Sequence, residues 1–147
     1  MNTLPTRRCL AAALLVAVSG TCWATLGEPM AAPAGVSGES AQGPTGARYT
    51  ALARRLDSGT EVREYANAEG IVFAVSWNGP FLPDLRALLG SHFSALEQHA
   101  SGAGRASAVS IQTPELTLLS GGRMGAFRGR AWLPLQLPAG LDPRALP

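Results

Sequence analysis

The chain has 147 residues and carries 12 basic against 10 acidic side chains, with no lysine among the basic ones. This length fits one domain and not two. The small net charge argues against nucleic acid as a main partner, because phosphate backbones are bound by a clear excess of basic residues.

Residues 1–24 have the pattern of a signal peptide. Arg7 and Arg8 give a positive n-region, the apolar run at 9–18 gives an h-region, and Ala24 ends a stretch of small residues at the expected cleavage point. The run is too short for a membrane span, which needs roughly 20 apolar residues. We therefore expect a protein exported to the periplasm or secreted in a Gram-negative bacterium, with no transmembrane span after cleavage. The arginine pair leaves twin-arginine export open beside the general secretory route.

Both cysteines lie in this segment. Cys9 and Cys22 leave with the signal peptide, so the mature chain has no disulfide, no thiolate nucleophile and no thiolate metal ligand. A lipid-modified Cys22 is an alternative, but Ser19 and Thr21 before it fit such a site poorly. We expect neither a metal nor another cofactor.

Composition divides the rest of the chain into three parts. Residues 25–47 are rich in Gly, Ala, Pro and Ser without apolar periodicity, which predicts a flexible tether. Residues 48–140 carry the periodic patterns and are predicted to form one small α+β domain. Residues 141–147 are predicted to form a proline-containing tail.

Three strands are predicted in the first half of the domain, separated by the turn signals DSG at 57–59 and NAEG at 67–70. The last of them, IVFAVSW at 71–77, is apolar on both sides and is predicted to be the central strand. Simple alternation places Phe73 and Trp77 on the same side of this strand, facing the helix that follows.

One helix and three more strands are predicted in the second half. Pro83 and Asp84 suit a first helical turn, and SGAG at 101–104 is a stop signal. The glycine pair at 121–122 predicts a hairpin turn. The predicted fold class is therefore α+β: an antiparallel three-strand meander, one amphipathic helix packed on the sheet, then three further strands including the Gly-Gly hairpin. The apolar residues at helical spacing are Leu85, Leu88, Leu89, Phe93, Leu96 and Ala100.

The stretch LDSGTEVREYANAEGIVFAVSWNGPFLPDLRALLGSHF, with ATLG at the signal junction and SGGRMGAFRGRAWLP near the end, resembles a known family. Its members are short, exported, uncharacterised proteobacterial proteins, defined only as a domain of unknown function. The resemblance covers roughly residues 24–140. It implies export and one compact domain, and it carries no activity. This chain departs from the family in its long Gly/Ala/Pro segment.

The residues that build catalytic and metal sites are few and badly spaced. His92 and His99 lie about 10 Å apart along a helix, too far for one small ion. Ser91 precedes His92, but adjacent helical residues do not face each other. The sequence has no G-x-S-x-G, S-x-x-K or Walker motif. Glu61 and Glu64 point to opposite sides of a strand, and we expect both to be solvated at the surface.

Five residues are the candidates for a binding site. Arg128 and Arg130 share a strand face at a period of two and could clamp an anionic group. Trp77 and Phe81 bracket the NGP loop, and Trp132 is a further aromatic near a strand end. Core packing is the alternative role for these aromatic side chains.

Two functions remain open from the sequence. The first is a non-catalytic exported module that binds an unknown protein or envelope component, or supports an envelope structure, because no catalytic template fits. The second is a small-ligand-binding protein or small enzyme that uses the Trp77/Phe81 loop and the Arg128/Arg130 face. A compact pocket with convergent polar groups would favour the second.

Overall fold

The computed structural model of the protein describes residues 25–31, 38–43, 46–100 and 108–146. The expected signal peptide and the SGAG stop signal lie outside these residues, as does the side chain of His99. In the part of the chain that the structure describes, no helix is long and apolar enough to cross a lipid bilayer.

The fold is α+β and mostly sheet. Seven antiparallel strands form one sheet in the order β1-β2-β3-β4-β7-β6-β5, so β4 lies at its centre. Helix α1 spans Leu85–Leu89 and helix α2 spans Phe93–Ala100, with a 3-10 turn between them. The strands are β1 Glu39–Gln42, β2 Arg48–Arg55, β3 Glu61–Ala66, β4 Val72–Gly79, β5 Ala108–Gln112, β6 Thr117–Arg123 and β7 Ala126–Trp132.

The helical segment begins where the sequence predicts, but it is interrupted. The Asp84 carboxylate accepts from the backbone N–H groups of Arg86 at 2.9 Å and Ala87 at 3.1 Å, which caps α1. Gly90 then takes a φ of 52° and ends α1. A Cβ at Gly90 would lie 2.0 Å from Thr25 Cγ2, so the break makes room for the segment that precedes the sheet.

The first face of the sheet is the one that packs on the helices, and it carries the larger core. Trp77 lies on this face directly opposite Gly129 in register. A Cβ at Gly129 would lie 2.3 Å from the indole Cζ2, so the glycine leaves the room that the ring occupies. The buried residues of this core are Leu26, Val62, Val72, Val75, Trp77, Leu88, Leu89, Ile111, Leu116, Leu118, Ala131 and Leu133.

Strand β4 contains a bulge at Phe73. Tyr65 pairs with Ala74, but the next residue, Ala66, pairs with Val72, so the register skips Phe73. Val72 therefore belongs to the first core, while Phe73 and Ala74 both belong to a second core on the opposite face. The prediction that Phe73 packs against the helix is wrong, because simple alternation assumes an unbroken register.

The second face is covered at one end by the residues that follow β7. Leu141 and Leu146 are each only 7% exposed and share a cluster with Phe73 and Trp132. The prediction of a separate tail at 141–147 is wrong for the residues described, because these two leucines bury their side chains against the sheet. The prolines interrupt regular secondary structure here, but the chain that follows them still packs against the sheet.

Residues 25–31 also belong to the fold. Leu26 is 1% exposed in the first core, and its N–H donates to the Leu88 carbonyl at 2.9 Å. The Gly27 N–H donates to the Val72 carbonyl at 2.8 Å, and the Val72 N–H donates to the Glu28 carbonyl at 2.9 Å. The prediction of a flexible tether over 25–47 is therefore wrong at this segment.

Strand β1, Glu39–Gln42, is the second ordered part of the predicted tether. It pairs with β2 at the edge of the sheet, with Ala41 opposite Tyr49. The sequence did not predict this strand because its side chains are small or polar, as an edge strand in water allows. Backbone pairing, and not apolar periodicity, holds it in place.

The last hairpin turns later than the sequence suggests. Gly121 and Gly122 lie inside β6, and the turn is at Met124 and Gly125, with Arg123 and Ala126 as the closing pair. Gly125 has a φ of 86°, a value that glycine adopts without strain. The prediction of a turn at the glycine pair is therefore wrong by three residues.

Candidate functional site

The second face of the sheet is polar at the end away from the C-terminal segment, and there it forms an open groove of about 650 Å³. Side chains that are paired across neighbouring strands point to the same side of a sheet. Two adjacent rows of such residues cross five strands and line what we call the arginine groove. One row is Glu61, Asn78, Arg128, Gly121 and Ala108, and the other is Arg63, Ser76, Arg130, Leu119 and Ser110.

Three arginines enter the groove with different partners. Arg63 Nε donates to Glu61 Oε1 at 2.6 Å. Arg130 Nη1 donates to the Arg144 carbonyl at 2.6 Å, which ties it to the C-terminal segment. Arg128 is exposed, and among the described residues no carboxylate lies within ion-pair distance of it. Arg128 is therefore the arginine best placed to take up an external anion.

Tyr65 lies next to the groove residues Ser76 and Arg130, where the second face meets the C-terminal segment. Its hydroxyl lies 3.2 Å from Ser76 Oγ. Burial raises the pKa of the Tyr65 hydroxyl, and the hydrogen bond with Ser76 and the charge of Arg63 offset this in part. Tyr65 therefore stays neutral and does not compete with an anion for the arginines.

The structure divides the five candidate residues between the surface and the core. Arg128 and Arg130 both line the arginine groove. Trp77 is 2% exposed in the first core and Trp132 is 6% exposed in the second. Phe81 is 60% exposed on the loop after β4. The Trp77/Phe81 pair therefore does not form one aromatic patch, because only Phe81 reaches solvent.

Sequence reasoning missed Arg63 and Glu61 as groove residues and placed Glu64 wrongly. Glu64 has no exposed side-chain surface and forms an ion pair with Arg54. Burial raises the pKa of the Glu64 carboxyl, and the Arg54 guanidinium lowers it in part. The expectation of surface solvation is wrong for Glu64, because β3 is an inner strand with both faces partly covered. Cross-strand placement beside Ser76 and Arg130 is what brings Arg63 into the groove, and sequence spacing does not encode it.

The arrangement suits binding of a negatively charged group. The groove has serine hydroxyls and the Asn78 amide beside its arginines, and such donors together can fix an anion in a defined orientation. His92 lies on the other side of the sheet, where its Nε2 would be 3.2 Å from a Cβ at Gly27. Within the described ranges, no three side chains of the His, Cys, Asp and Glu types come together as a metal site.

The protein was compared with known families, curated proteins and solved structures. Neither the curated proteins nor the solved structures include a match. A family model does match, which confirms the resemblance at the level of an uncharacterised domain family. It covers residues 22–146 and is described as a protein of unknown function, DUF2844, so this chain belongs to that family.

Proposed function

We propose that the protein is a non-catalytic binding module that holds an anionic ligand in the arginine groove. The observation that carries the proposal is the convergence of Arg63, Arg128 and Arg130 in two adjacent rows of one sheet face. The groove volume of about 650 Å³ is within the range of small-molecule sites. Of the two functions that the sequence left open, ligand binding is favoured because the convergent polar groups are there.

The form of the groove indicates the shape of the ligand. Its floor crosses five strands, β3 to β5 in sheet order. With strands about 4.8 Å apart, the floor extends for roughly 19 Å across the sheet. We infer an elongated ligand with at least one phosphate, sulfate or carboxylate group, which Arg128 binds on β7, the middle strand of the five. A soluble envelope component with these groups fits the proposal.

A catalytic role is less well supported than binding. A general base must lie within hydrogen-bond reach of the proton that it removes. Glu61 is the groove carboxylate, and it is already engaged by Arg63 at 2.6 Å. Serine hydroxyls line the groove, but His92 is on the opposite face and cannot activate them. Binding therefore accounts for the groove without a reaction.

We also propose that the protein works outside the cytoplasm, after loss of residues 1–24. The support is the signal-peptide pattern of the sequence. Measurement of the intact mass of the protein from the host envelope fraction tests this, and we expect a chain that begins at Thr25. A lipid-modified chain that retains Cys22 would contradict it.

Titration with tripolyphosphate tests the binding proposal. We expect amide NMR shifts confined to the groove strands. Arg128→Gln should weaken binding about tenfold, because a charge-assisted hydrogen bond is worth about 1.5–3 kcal/mol and 1.4 kcal/mol is a factor of ten. The matched control is Arg48→Gln, which removes an exposed arginine outside the groove. Equal weakening by both substitutions would mean that binding is non-specific and would overturn the proposal.

A further inference from the structure

The two edges of the sheet differ in how they are protected. Strand β1 forms one edge and carries the charged Glu39, and strand β5 forms the other edge. The sequence of β5, AVSIQ, has no charged residue and no proline, and its pairing with β6 has no bulge. Sheets commonly protect an edge with such features, because the unpaired backbone groups of an edge strand can pair with another strand. Strand β5 lacks this protection, and among the described residues no strand pairs with its outer side.

A hydrogen bond in the β5–β6 turn determines which backbone groups of β5 point outward. The Thr113 N–H donates to the Leu116 carbonyl at 2.8 Å, so these two residues form a hydrogen-bonded pair. In an antiparallel ladder such pairs alternate with pairs whose backbone groups point away from each other. The backbone groups of Ile111 and Val109 therefore bond to β6. The N–H and C=O groups that point outward belong to Ala108, Ser110 and Gln112.

The side chains along β5 are also accessible. Four of the five are exposed, and the fifth, Ile111, is buried in the first core. Val109 lies on the same face as Ile111, by the alternation of a strand, but it is 36% exposed. On the other face, Ala108 and Ser110 end the two rows of the arginine groove. A strand added to this edge would therefore cover Val109 on one face and extend the floor of the groove on the other.

Strand β5 is complementary to a second copy of itself. Antiparallel pairing centred on Ser110 places Ser110 opposite Ser110 of the partner copy, and Ala108 opposite its Gln112, so every outward group meets an outward group. Val109 then lies opposite Ile111 of the partner copy, which is a favourable pair of β-branched side chains, and no like charges meet. A strand of another protein could form the same backbone bonds, but the match of side chains at all five positions favours a second copy of this chain.

We propose that the protein forms a symmetric dimer in which β5 pairs antiparallel with β5 of a second copy, so that the two sheets become one. The two-fold axis of such a pair is perpendicular to the sheet, so both arginine grooves lie on the same side and meet at Ser110. With strands about 4.8 Å apart, the Arg128 positions of the two copies lie roughly 24 Å from each other. The pairing does not depend on the proposed function, but it would let one elongated anionic ligand contact both copies.

Sedimentation velocity over a dilution series of the purified protein tests the proposal. We expect an equilibrium between monomer and dimer. Ser110→Pro should weaken dimerisation about tenfold or more, because each copy loses an N–H that donates to the other copy. The substitution should leave the monomer folded, because that N–H points away from β6 and proline is tolerated at such edge positions. An unchanged melting temperature at low protein concentration establishes this.

The matched control is Ser40→Pro, which makes the same substitution on the opposite edge of the sheet. The Gly43 N–H donates to the Ala47 carbonyl at 2.8 Å, so by the same alternation the Ser40 N–H points away from β2. Ser40 is exposed, as Ser110 is. The control should dimerise as the unchanged protein does. Equal losses for Ser40→Pro and Ser110→Pro would overturn the proposal.

Two further variants at the same position test the pairing without proline. Ser110→Arg places two positive charges opposite each other at the two-fold axis, and it should weaken dimerisation about fivefold, less so when salt is added. Ser110→Thr keeps a pair of hydroxyl groups across the axis and should retain the dimer. Amide hydrogen exchange measures the new bonds directly. The Ser110 and Gln112 amides should exchange about tenfold more slowly in the dimer than after dilution.

Three other outcomes overturn the pairing at β5. A protein that is monomeric at every concentration up to its solubility limit refutes it. A dimer that Ser110→Pro leaves unchanged would assign the contact to another surface. Protection of the β5 amides that does not change with protein concentration would mean that another part of the same chain covers the edge. None of these bears on the arginine groove, because Arg128→Gln should weaken tripolyphosphate binding and leave the dimer unchanged.

Discussion

The two faces of the sheet are covered in different ways, and the difference determines where the candidate site lies. The first face is covered along its length by α1, α2 and residues 25–30, so its buried residues form one continuous core. The second face is covered at one end by Leu141 and Leu146, and its other end is the open arginine groove. A half-covered sheet face offers a ligand a rigid floor, because the strands beneath it are held from the other side.

The largest expected effect is a loss of stability on substitution of Phe73, and it tests which of the two cores this residue belongs to. Phe73→Ala should reduce the free energy of unfolding by about 3–5 kcal/mol, because it leaves a cavity beneath a completely buried ring. In a double-mutant cycle it should couple to Leu146→Ala, which removes a neighbour in the same core. It should be additive with Leu89→Ala on the opposite face. Urea unfolding measures all three, and coupling to Leu89 instead would contradict the bulge.

A slightly smaller effect is expected where the N-terminal segment joins the first face. Leu26→Ala should cost about 2–5 kcal/mol, as for other leucines removed from a packed core. Leu135→Ala is the matched control, since that side chain is 80% exposed and should change stability by at most about 0.5 kcal/mol. Thermal and urea unfolding both report these differences. A Leu26→Ala protein as stable as the control would restore the interpretation of residues 25–31 as a tether.

The smallest effect concerns the buried Glu64, whose pKa is raised in the folded protein. The native state then holds the Glu64 proton more tightly than the unfolded chain does, so the carboxyl favours folding most below its ordinary pKa near 4.5. This contribution is lost as pH rises through the raised value. The stability of the unchanged protein relative to Glu64→Gln should therefore fall with increasing pH.

Urea unfolding between about pH 4 and 7, a range that begins just below an ordinary carboxyl pKa and extends well above it, measures this difference. Glu115→Gln, at an exposed carboxyl, sets the background. If Glu64→Gln and Glu115→Gln change the free energy of unfolding with the same dependence on pH, the expectation is contradicted. The ion pair with Arg54 would then fully compensate for the burial of Glu64.

The sequence predicts the parts of this fold that depend on local pattern. The start of α1 follows from Asp84, whose carboxylate caps the helix, and the apolar run at 71–77 does contain the central strand. The arginine face was predicted from the period of two between Arg128 and Arg130, and the two residues do share the groove. Local chemistry was sufficient in each case.

The parts that the sequence did not predict depend on contacts between distant residues. The bulge at Phe73 arises from pairing between β3 and β4, and no alternation of residue types marks it. Glu64 is buried with Arg54 of the neighbouring strand as its ion-pair partner. Arg63 enters the groove because Ser76 lies opposite it in register and Arg130 lies opposite Ser76 on the next strand. Leu141 and Leu146 follow prolines that suggest a loose end, yet their side chains complete the second core.

The burial of both Leu26 and Leu146 has a consequence for the order of folding. The central strand β4 pairs with β7, which lies far along the chain, and the first core needs residues close to the N-terminal end of the described structure. Contacts between residues so far apart in sequence close late and make folding slow. A chain cut short before Leu141 would lack the cover of the second core while exposing Phe73 and Trp132. We therefore expect the domain to reach its full stability only once the chain has been synthesised as far as Leu146.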